Sequence, residues 1–144
     1  MPVIYPFHLA IPITDIASTR KFYVEVLGCG VGRATDTWID FDFYGHQVSA
    51  HVKPDEISQP KTNLVDGENI PVRHFGVVLD MDAWDRLKYR LEENRAEFII
   101  EPTIRFKGQV GEQATMFISD PSGNVLEFKA FRNKEKLFAS EEDR

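Results

Sequence analysis

The stretch "FHLAIPITDIASTRKFYVEVLG", residues 7–28, changes its hydrophobic period part-way along and so defines two successive elements. As far as Ile13, apolar residues alternate with other residues, which predicts a strand that buries the face carrying Phe7, Leu9 and Ile11. Beyond Thr14 or Asp15, either of which is a candidate helix cap, apolar residues recur at helical spacing until Gly28 supplies a stop. The stretch therefore predicts a strand followed by a helix.

The same order of elements occurs again in the second half of the chain. "RHFGVVLDM" (73–81) predicts a strand and "DAWDRLKYRLEEN" (82–94) a helix whose apolar stripe holds Trp84, Leu87 and Leu91. Three further strands complete each half, at about 30–34, 37–43 and 47–52 in the first and at 97–106, 113–119 and 124–131 in the second. An internal duplication of a βαβββ module is the economical interpretation. We expect one domain over residues 1–144, with module one at about 4–53, a linker at about 54–72, module two at about 73–131 and a charged tail at 132–144.

Composition excludes several classes of protein. A net charge of −6 without any basic stripe argues against a partner that presents a phosphate backbone, so no nucleic-acid partner is expected. The single cysteine, Cys29, excludes an internal disulfide framework and a cysteine-based zinc site. The apolar opening has no basic leader and contains three prolines, which argues against a signal peptide or a spanning helix. We therefore expect a soluble, cytoplasmic protein with no membrane partner.

Ligand-type side chains lie on the non-core face of four predicted strands. His8 opens the first strand of the first half, and His74 opens the first strand of the second half. His51 lies in the last strand of the first half, where Glu127 lies in the last strand of the second half. Their neighbours on the same face are small enough to leave room for a cleft, namely Ala10, Ser49, Gly76 and Val125.

Three imidazoles and one carboxylate make a borderline set of donors. Such a set suits Zn, Ni, Co, Mn or Fe(II) better than Ca or Mg. We therefore expect a divalent transition metal held by His8, His51, His74 and Glu127. A lone histidine on a strand is more often a hydrogen-bonded or surface residue, and this is what we expect of His46, which falls in the predicted turn beside Gly45.

Three motifs carry a resemblance to a known family. "FHLAIPITDIASTRKFYVEVLG", "RHFGVVLD" and "ISDPSGNVLEF" resemble the two module openings and the closing motif of the vicinal oxygen chelate superfamily, which includes glyoxalase I, the bleomycin- and fosfomycin-resistance proteins and the extradiol dioxygenases. The resemblance covers about residues 7–131. It implies an α+β fold in which two βαβββ modules form a half-open, cleft-lined mixed β-barrel with helices on the outer face and a divalent metal between the modules. It also implies a homodimer.

The resemblance implies roles for individual residues. His8, His74 and Glu127 match the usual metal ligands, and His51 matches a position that is a glutamate in glyoxalase I. The implied function is that of a metal-dependent glyoxalase-type lyase or isomerase whose small substrate chelates the metal through adjacent oxygens. Glu127 and His51 are then the expected catalytic residues, with Glu127 moving protons.

Candidate substrate-binding residues are two arginines and a tryptophan. Arg33 and Arg105 have the charge to bind a substrate carboxylate, although a surface role is the commoner one for arginine. Trp38 has the parity opposite to Ile39, so we place it on the substrate or interface side, whereas Phe41 and Phe43 share the parity of Ile39 and belong to the core.

Two alternatives remain open. His8, His74 and Glu127 also constitute the two-histidine, one-carboxylate triad of non-haem Fe(II) oxygenases, in which case the chain is an extradiol-type dioxygenase and His51 an acid or base beside the metal. A drug-binding or resistance protein of the bleomycin type is the third interpretation, and such proteins need no metal site. Metal content distinguishes the three.

Overall fold

The computed structural model describes residues 3–65 and 67–138, apart from the side chain of Lys134. Contacts divide the chain into two compact units, one made of residues up to Gln59 together with Asp120–Asn124, the other of Pro60–Ser119 together with the chain from Val125 onward. The end of the predicted charged tail, residues 139–144, lies outside the described residues.

The first unit contains a four-stranded mixed sheet and one helical segment. Its elements are β1 (His8–Ile13), α1 (Ile16–Arg20), which continues as a π-helical turn (Lys21–Val26), β2 (Gly30–Ala34), β3 (Trp38–Phe43) and β4 (His46–Val52). The strands run in the order β1-β4-β3-β2, with β1 parallel to β4 and the other pairs antiparallel. Asp15 caps α1, because its carboxylate accepts a hydrogen bond from the Ser18 backbone N–H. The predicted turn at Tyr44-Gly45 is confirmed, and both residues have the positive φ that a type I′ hairpin turn requires.

The predicted linker contains a hairpin, which the sequence interpretation did not anticipate. A short 3₁₀ turn (Pro54–Glu56) precedes β5 (Thr62–Val65) and β6 (Glu68–Pro71), which pair antiparallel. Ile70 of β6 is buried in an apolar cluster with Ile100, Phe117 and Val125. The polar, proline-containing composition concealed these strands, because β5 is exposed throughout and β6 buries only Ile70 and Pro71.

The second unit repeats the topology of the first. It contains β7 (Phe75–Leu79), α2 (Met81–Glu93), β8 (Phe98–Arg105), β9 (Gln113–Ser119) and β10 (Val125–Phe131), with a last 3₁₀ turn at Lys134–Lys136. The strand order β7-β10-β9-β8, with β7 parallel to β10, matches that of the first sheet. Asp80 caps α2 through the Ala83 backbone N–H. The α+β class and the two βαβββ modules are therefore confirmed, whereas the half-open barrel stays a prediction.

The cores follow much of the predicted parity, but Phe75, Val77 and Leu79 are only half-buried and two expectations about the module openings are wrong. Phe41 and Phe43 are buried, as predicted, and so are the three apolar residues of the α2 stripe, Trp84, Leu87 and Leu91. Phe7 was placed on the buried face of the first strand, but it precedes β1 and is 64% exposed. His74 was expected to open the first strand of module two, but β7 begins at Phe75, so His74 lies in the segment leading into it.

The turn Asp120–Asn124 is held within the first unit by a dense set of hydrogen bonds. The hydroxyl of the fully buried Tyr23 donates to Asp120 Oδ2 at 2.9 Å, and Ser122 Oγ accepts from the Thr14 backbone N–H. The Asn124 side-chain amide donates to the Pro12 carbonyl oxygen at 2.8 Å and to Asp120 Oδ2 at 2.9 Å. The "DPSGN" segment is thus both a turn between strands of the second sheet and part of the first unit's interior.

Candidate functional site

The first sheet presents a polar face whose rows are fixed by strand register. The first row is His8, Gln47 and Asp42 across β1, β4 and β3, and the second is Ala10, Ser49 and Asp40. The third row is Pro12, His51 and Trp38. Residues in one row are lateral neighbours, whereas residues in successive rows are about 7 Å apart along the strands.

Four side chains of the first two rows form one hydrogen-bonded chain. His8 Nδ1 lies 2.8 Å from Gln47 Oε1, and Gln47 Nε2 donates to Asp40 Oδ2 at 3.4 Å. Ser49 Oγ donates to the other Asp40 oxygen at 2.6 Å. Asp40 is buried, with 8% of its surface exposed, so its carboxylate is a fixed anchor beneath an exposed histidine.

The second unit brings a histidine and a glutamate into direct contact. His74 Nε2 lies 3.1 Å from Glu127 Oε1, and the other ring nitrogen, Nδ1, lies 2.5 Å from the Pro71 carbonyl oxygen. Thr115 Oγ1 donates to Glu127 Oε2 at 2.5 Å. The His74 ring also meets the edge of Phe117 with 5.0 Å between ring centroids. Each polar atom of the pair therefore has a defined partner.

This contact shifts both pKa values in the direction of an ion pair. The hydrogen bond with Glu127 raises the pKa of His74, against the opposing effect of burial. Burial by itself would raise the pKa of Glu127, but the hydrogen bonds from His74 and Thr115 and the charge of Lys129 outweigh it and lower the pKa. Glu127 is thus a carboxylate at neutral pH although only 6% of its surface is exposed.

Strand register corrects the expected correspondence between His51 and Glu127. Glu127 pairs with Gly76, which is two residues after His74. In the first unit, the residue two positions after His8 is Ala10, which pairs with Ser49. Ser49 therefore corresponds to Glu127. His51 pairs with Pro12, one row further along the face. Spacing along the sequence concealed this offset because the two modules have turns of different length.

The structure also places the remaining candidate residues. The guanidinium of Arg33 lies over the ring of the half-buried Trp38, 5.7 Å from its centroid. Arg105 Nη2 donates to the Val65 carbonyl oxygen at 3.4 Å, and its guanidinium lies over Phe106. His46 was expected in the turn, but it is the first residue of β4, and its Nδ1 accepts a hydrogen bond from the Phe7 backbone N–H at 2.8 Å.

Two open cavities flank this polar face in the first unit. One, of about 350 Å³, is lined by polar groups that include Arg33, Asp40, Asp42 and Gln47. The other, of about 420 Å³, is lined by His51, Thr37, Lys53 and Glu56 among others. Each of the two cavities has room for a small polar molecule.

Three partners in these networks were not anticipated as site residues. Asp40 and Gln47 lie on the polar parity of their strands, and Thr115 shares the parity of Phe117, which pairs with Glu127. Parity was the available signal, but it does not show which of several polar residues touch. Within the part of the chain that the structure describes, no group of three or more His, Cys, Asp or Glu side chains is placed to hold a metal ion.

Comparison with known proteins identifies the family. A model of the Glyoxalase/Bleomycin resistance protein/Dioxygenase superfamily matches residues 6–128. The chain belongs to this superfamily. A glyoxalase/bleomycin resistance protein/dioxygenase from Alicyclobacillus acidocaldarius is 32% identical, with a TM-score of 0.79 over 92% of this chain and 96% of that one. No curated protein sequence matches the chain significantly.

Two more distant superfamily structures show the shared fold. FosX, a fosfomycin resistance protein from Listeria monocytogenes, is 13% identical, with a TM-score of 0.69 over 94% of this chain and 98% of its own. Lactoylglutathione lyase from Agrobacterium tumefaciens is 20% identical, with a TM-score of 0.65 over 97% and 100% of the two chains. In the described residues, no helix has the length and apolarity needed to cross a membrane.

Proposed function

We propose that this superfamily member is a divalent-metal-dependent lyase or isomerase of the glyoxalase type. The observation that carries the proposal is the His74–Glu127 pair, in which an imidazole nitrogen and a carboxylate oxygen converge at 3.1 Å while their remaining polar atoms are held by Pro71 and Thr115. Such supported donors fit a transition metal, because metal-binding histidines and carboxylates are normally oriented by a second hydrogen bond. Zn, Ni, Co, Mn and Fe(II) all accept this donor set.

The proposed ligands are His8, His74 and Glu127. His8 pairs with Gln47, and His51 lies four residues further along the same strand. This offset corresponds to about 13 Å, which is unfavourable for two histidines that bind one metal ion with bonds of about 2 Å. We therefore give His51 the other role predicted for it, that of an acid or base. Its exposed ring lines the larger of the two cavities, which supports a role in exchanging a proton with a small substrate.

The remaining groups provide binding and proton transfer. When bound, the metal supplies a Lewis acid for two adjacent substrate oxygens. Glu127 is a carboxylate at neutral pH and can accept a proton, and Arg33, held over Trp38, can pair with a substrate carboxylate. Arg105 is the second candidate for such pairing. The substrate is proposed to be a small molecule, the assembly a homodimer and the location cytoplasmic.

Metal analysis of the natively purified protein, followed by turnover assays, tests the proposal. We expect bound Ni or Zn and oxygen-independent turnover of a hemithioacetal. Glu127→Gln is expected to abolish metal binding while leaving the circular dichroism spectrum unchanged, and Glu101→Gln, on the exposed side of β8, is the matched control. Full activity in Glu127→Gln would overturn the site assignment. A protein without metal, whose ligand binding does not tighten on adding metal, would indicate a sequestering protein of the bleomycin type.

One observation favours a second candidate, an extradiol-type dioxygenase. His51 pairs with Pro12, one row beyond the residue that corresponds to Glu127, which supports a ligand set without it. The proposed ligands are then two histidines and one carboxylate, the triad of non-haem Fe(II) oxygenases. Bound iron together with consumption of oxygen during turnover of a catechol would establish this reaction in place of the lyase.

A further inference from the structure

The geometry points to Asp40 and Gln47 as a positioning relay that fixes which nitrogen of His8 is available to a ligand. In this arrangement the proton of the neutral imidazole resides on Nδ1, and Nε2 carries the free lone pair. The inference rests on the proposed function only in taking His8 as a metal ligand, since the tautomer itself is a property of the metal-free protein.

The argument begins at the buried carboxylate. Both side-chain oxygens of Asp40 act as hydrogen-bond acceptors. One accepts from Ser49 Oγ at 2.6 Å, and the other faces Gln47 at 3.4 Å. Only the NH₂ end of the Gln47 amide can donate to it, and this contact therefore determines which way the amide faces.

The orientation of the amide determines the tautomer of His8. With Nε2 of Gln47 turned toward Asp40, its oxygen Oε1 is the atom that lies 2.8 Å from His8 Nδ1. An amide oxygen has no proton to give, so Nδ1 must donate. The neutral ring then has an unprotonated Nε2, which is the form that a metal ion binds.

The second unit reaches the same result with a different acceptor. His74 Nδ1 faces the Pro71 carbonyl oxygen at 2.5 Å, which can only accept, so this ring also carries a proton on Nδ1. In the metal-free protein its Nε2 donates to the Glu127 carboxylate at 3.1 Å, and it is this second proton that a bound metal would replace. A main-chain carbonyl oxygen can only accept, so no other group is needed to orient it. The Gln47 amide can present either its oxygen or its NH₂ group to His8, and the buried Asp40 determines which one it presents.

Nitrogen-15 NMR of the histidine side chains in the metal-free protein tests the relay. At about pH 8, well above the usual histidine pKa of about 6.5, the long-range ¹H–¹⁵N couplings distinguish the two neutral tautomers. We expect His8 and His74 both to be protonated on Nδ1. In Asp40→Asn, Ser49 still donates to the remaining oxygen, and the new NH₂ group faces Gln47. The Gln47 amide must then reverse, and the His8 proton is expected to move to Nε2 while His74 is unchanged.

Two further variants separate the relay from a general structural effect. Asp42→Asn is the control, because Asp42 lies in the same row as His8 but its Oδ1 accepts from the Gly45 backbone N–H, a bond that an asparagine oxygen preserves. Its His8 tautomer should match that of the wild type. Gln47→Leu removes the acceptor and should release His8 from the Nδ1–H form, and Gln47→Glu, which retains an acceptor, should restore it.

Titration with Zn²⁺ alone connects the tautomer to binding. Asp40→Asn and Gln47→Leu should weaken Zn²⁺ binding about 10- to 100-fold, the range for loss of a group that orients a metal-binding histidine, and Asp42→Asn should not. A wild-type His8 protonated on Nε2, or a tautomer that is the same in the wild type, Asp40→Asn and Gln47→Leu, would overturn the relay. Failure of the wild type to bind Zn²⁺ with the tautomers as expected would instead overturn the proposed metal-dependent function and leave the relay standing.

Discussion

Thr115 provides the support on which the Glu127 carboxylate depends. Its hydroxyl donates to Oε2, and the histidine contact is made through Oε1, so the two oxygens have separate tasks. Because Thr115 is buried, water cannot readily take the place of its hydroxyl, so removing the hydroxyl leaves Glu127 Oε2 without this hydrogen bond.

Replacing Thr115 with valine is therefore expected to weaken metal binding about 10- to 100-fold while preserving the shape of the side chain. Isothermal titration with Zn²⁺ measures this effect. Thr103→Val, at an exposed position on the neighbouring β8, is the control and should bind as the wild type does. An unchanged affinity in Thr115→Val would mean that the carboxylate needs no such support.

Asp120 makes stability depend on pH in a direction unusual for an aspartate. Burial raises its pKa, although hydrogen bonds from Asn124 and Tyr23 act in the opposite direction. A raised pKa means that the folded state holds the proton more tightly than the unfolded chain does. The stabilising contribution is then fully present below the unfolded pKa of about 3.9 and is lost as pH rises through the folded pKa.

Asp120→Asn has no such titration. We expect the free energy of unfolding of the wild type, minus that of Asp120→Asn, to decrease as pH rises from about 3 to about 6. Urea unfolding at a series of pH values measures the difference. A difference that instead grew with pH would show that the hydrogen bonds outweigh burial and that the pKa of Asp120 is lowered.

At the scale of the element, Gly76 allows β7 to approach β10 next to the histidine–glutamate pair. A Cβ atom at this position would overlap the main-chain carbonyl oxygen of Glu127, which cannot move away without breaking the strand pairing. The corresponding position of the first sheet is Ala10, which has a Cβ, so the close approach is particular to the second sheet.

Gly76→Ala is accordingly expected to lower the free energy of unfolding by more than about 3 kcal/mol, the upper end of the usual effect of a point substitution. Gly111→Ala is the matched control, because its Cβ would meet nothing within 4 Å and its φ is not in the left-handed region. Chemical denaturation of the two variants gives the comparison. Equal stabilities would contradict the close approach described for β7 and β10.

Elements of this fold were predictable where one physical signal dominated. Alternation, helical spacing and turn residues located every strand of both modules and both helical segments to within a few residues, because most of these elements bury apolar residues, β2 being exposed throughout. The hairpin in the linker was missed because its buried residues are only Ile70 and Pro71 of β6, and no alternation of buried and exposed residues extends through it. Within the candidate site, His74 and Glu127 were expected to lie together and do so. The correspondence assigned to His51 was wrong, since register depends on turn lengths that spacing alone does not reveal.

At the scale of the whole molecule, metal binding is expected to appear as stability. A ligand that binds only the folded state at 100 times its Kd stabilises it by about 2.7 kcal/mol. For a chain of 144 residues this corresponds to a rise in Tm of about 5–11 °C. Scanning calorimetry with and without a chelator measures the shift, and Glu127→Gln should show none. The same shift in Glu127→Gln would place the metal elsewhere.

The turn Asp120–Asn124 also constrains how the chain can be divided. A fragment ending near Gln59 would contain the whole first sheet but would lack Asp120, the acceptor for the buried Tyr23 hydroxyl. It would lack Asn124 and Ser122 as well, which bond to Pro12 and Thr14. The first unit therefore depends on a turn that the second half of the chain supplies. A recombinant that kept the first module but replaced the second would leave the Tyr23 hydroxyl, the Pro12 carbonyl oxygen and the Thr14 N–H without these hydrogen bonds, unless it also kept the Asp120–Asn124 turn.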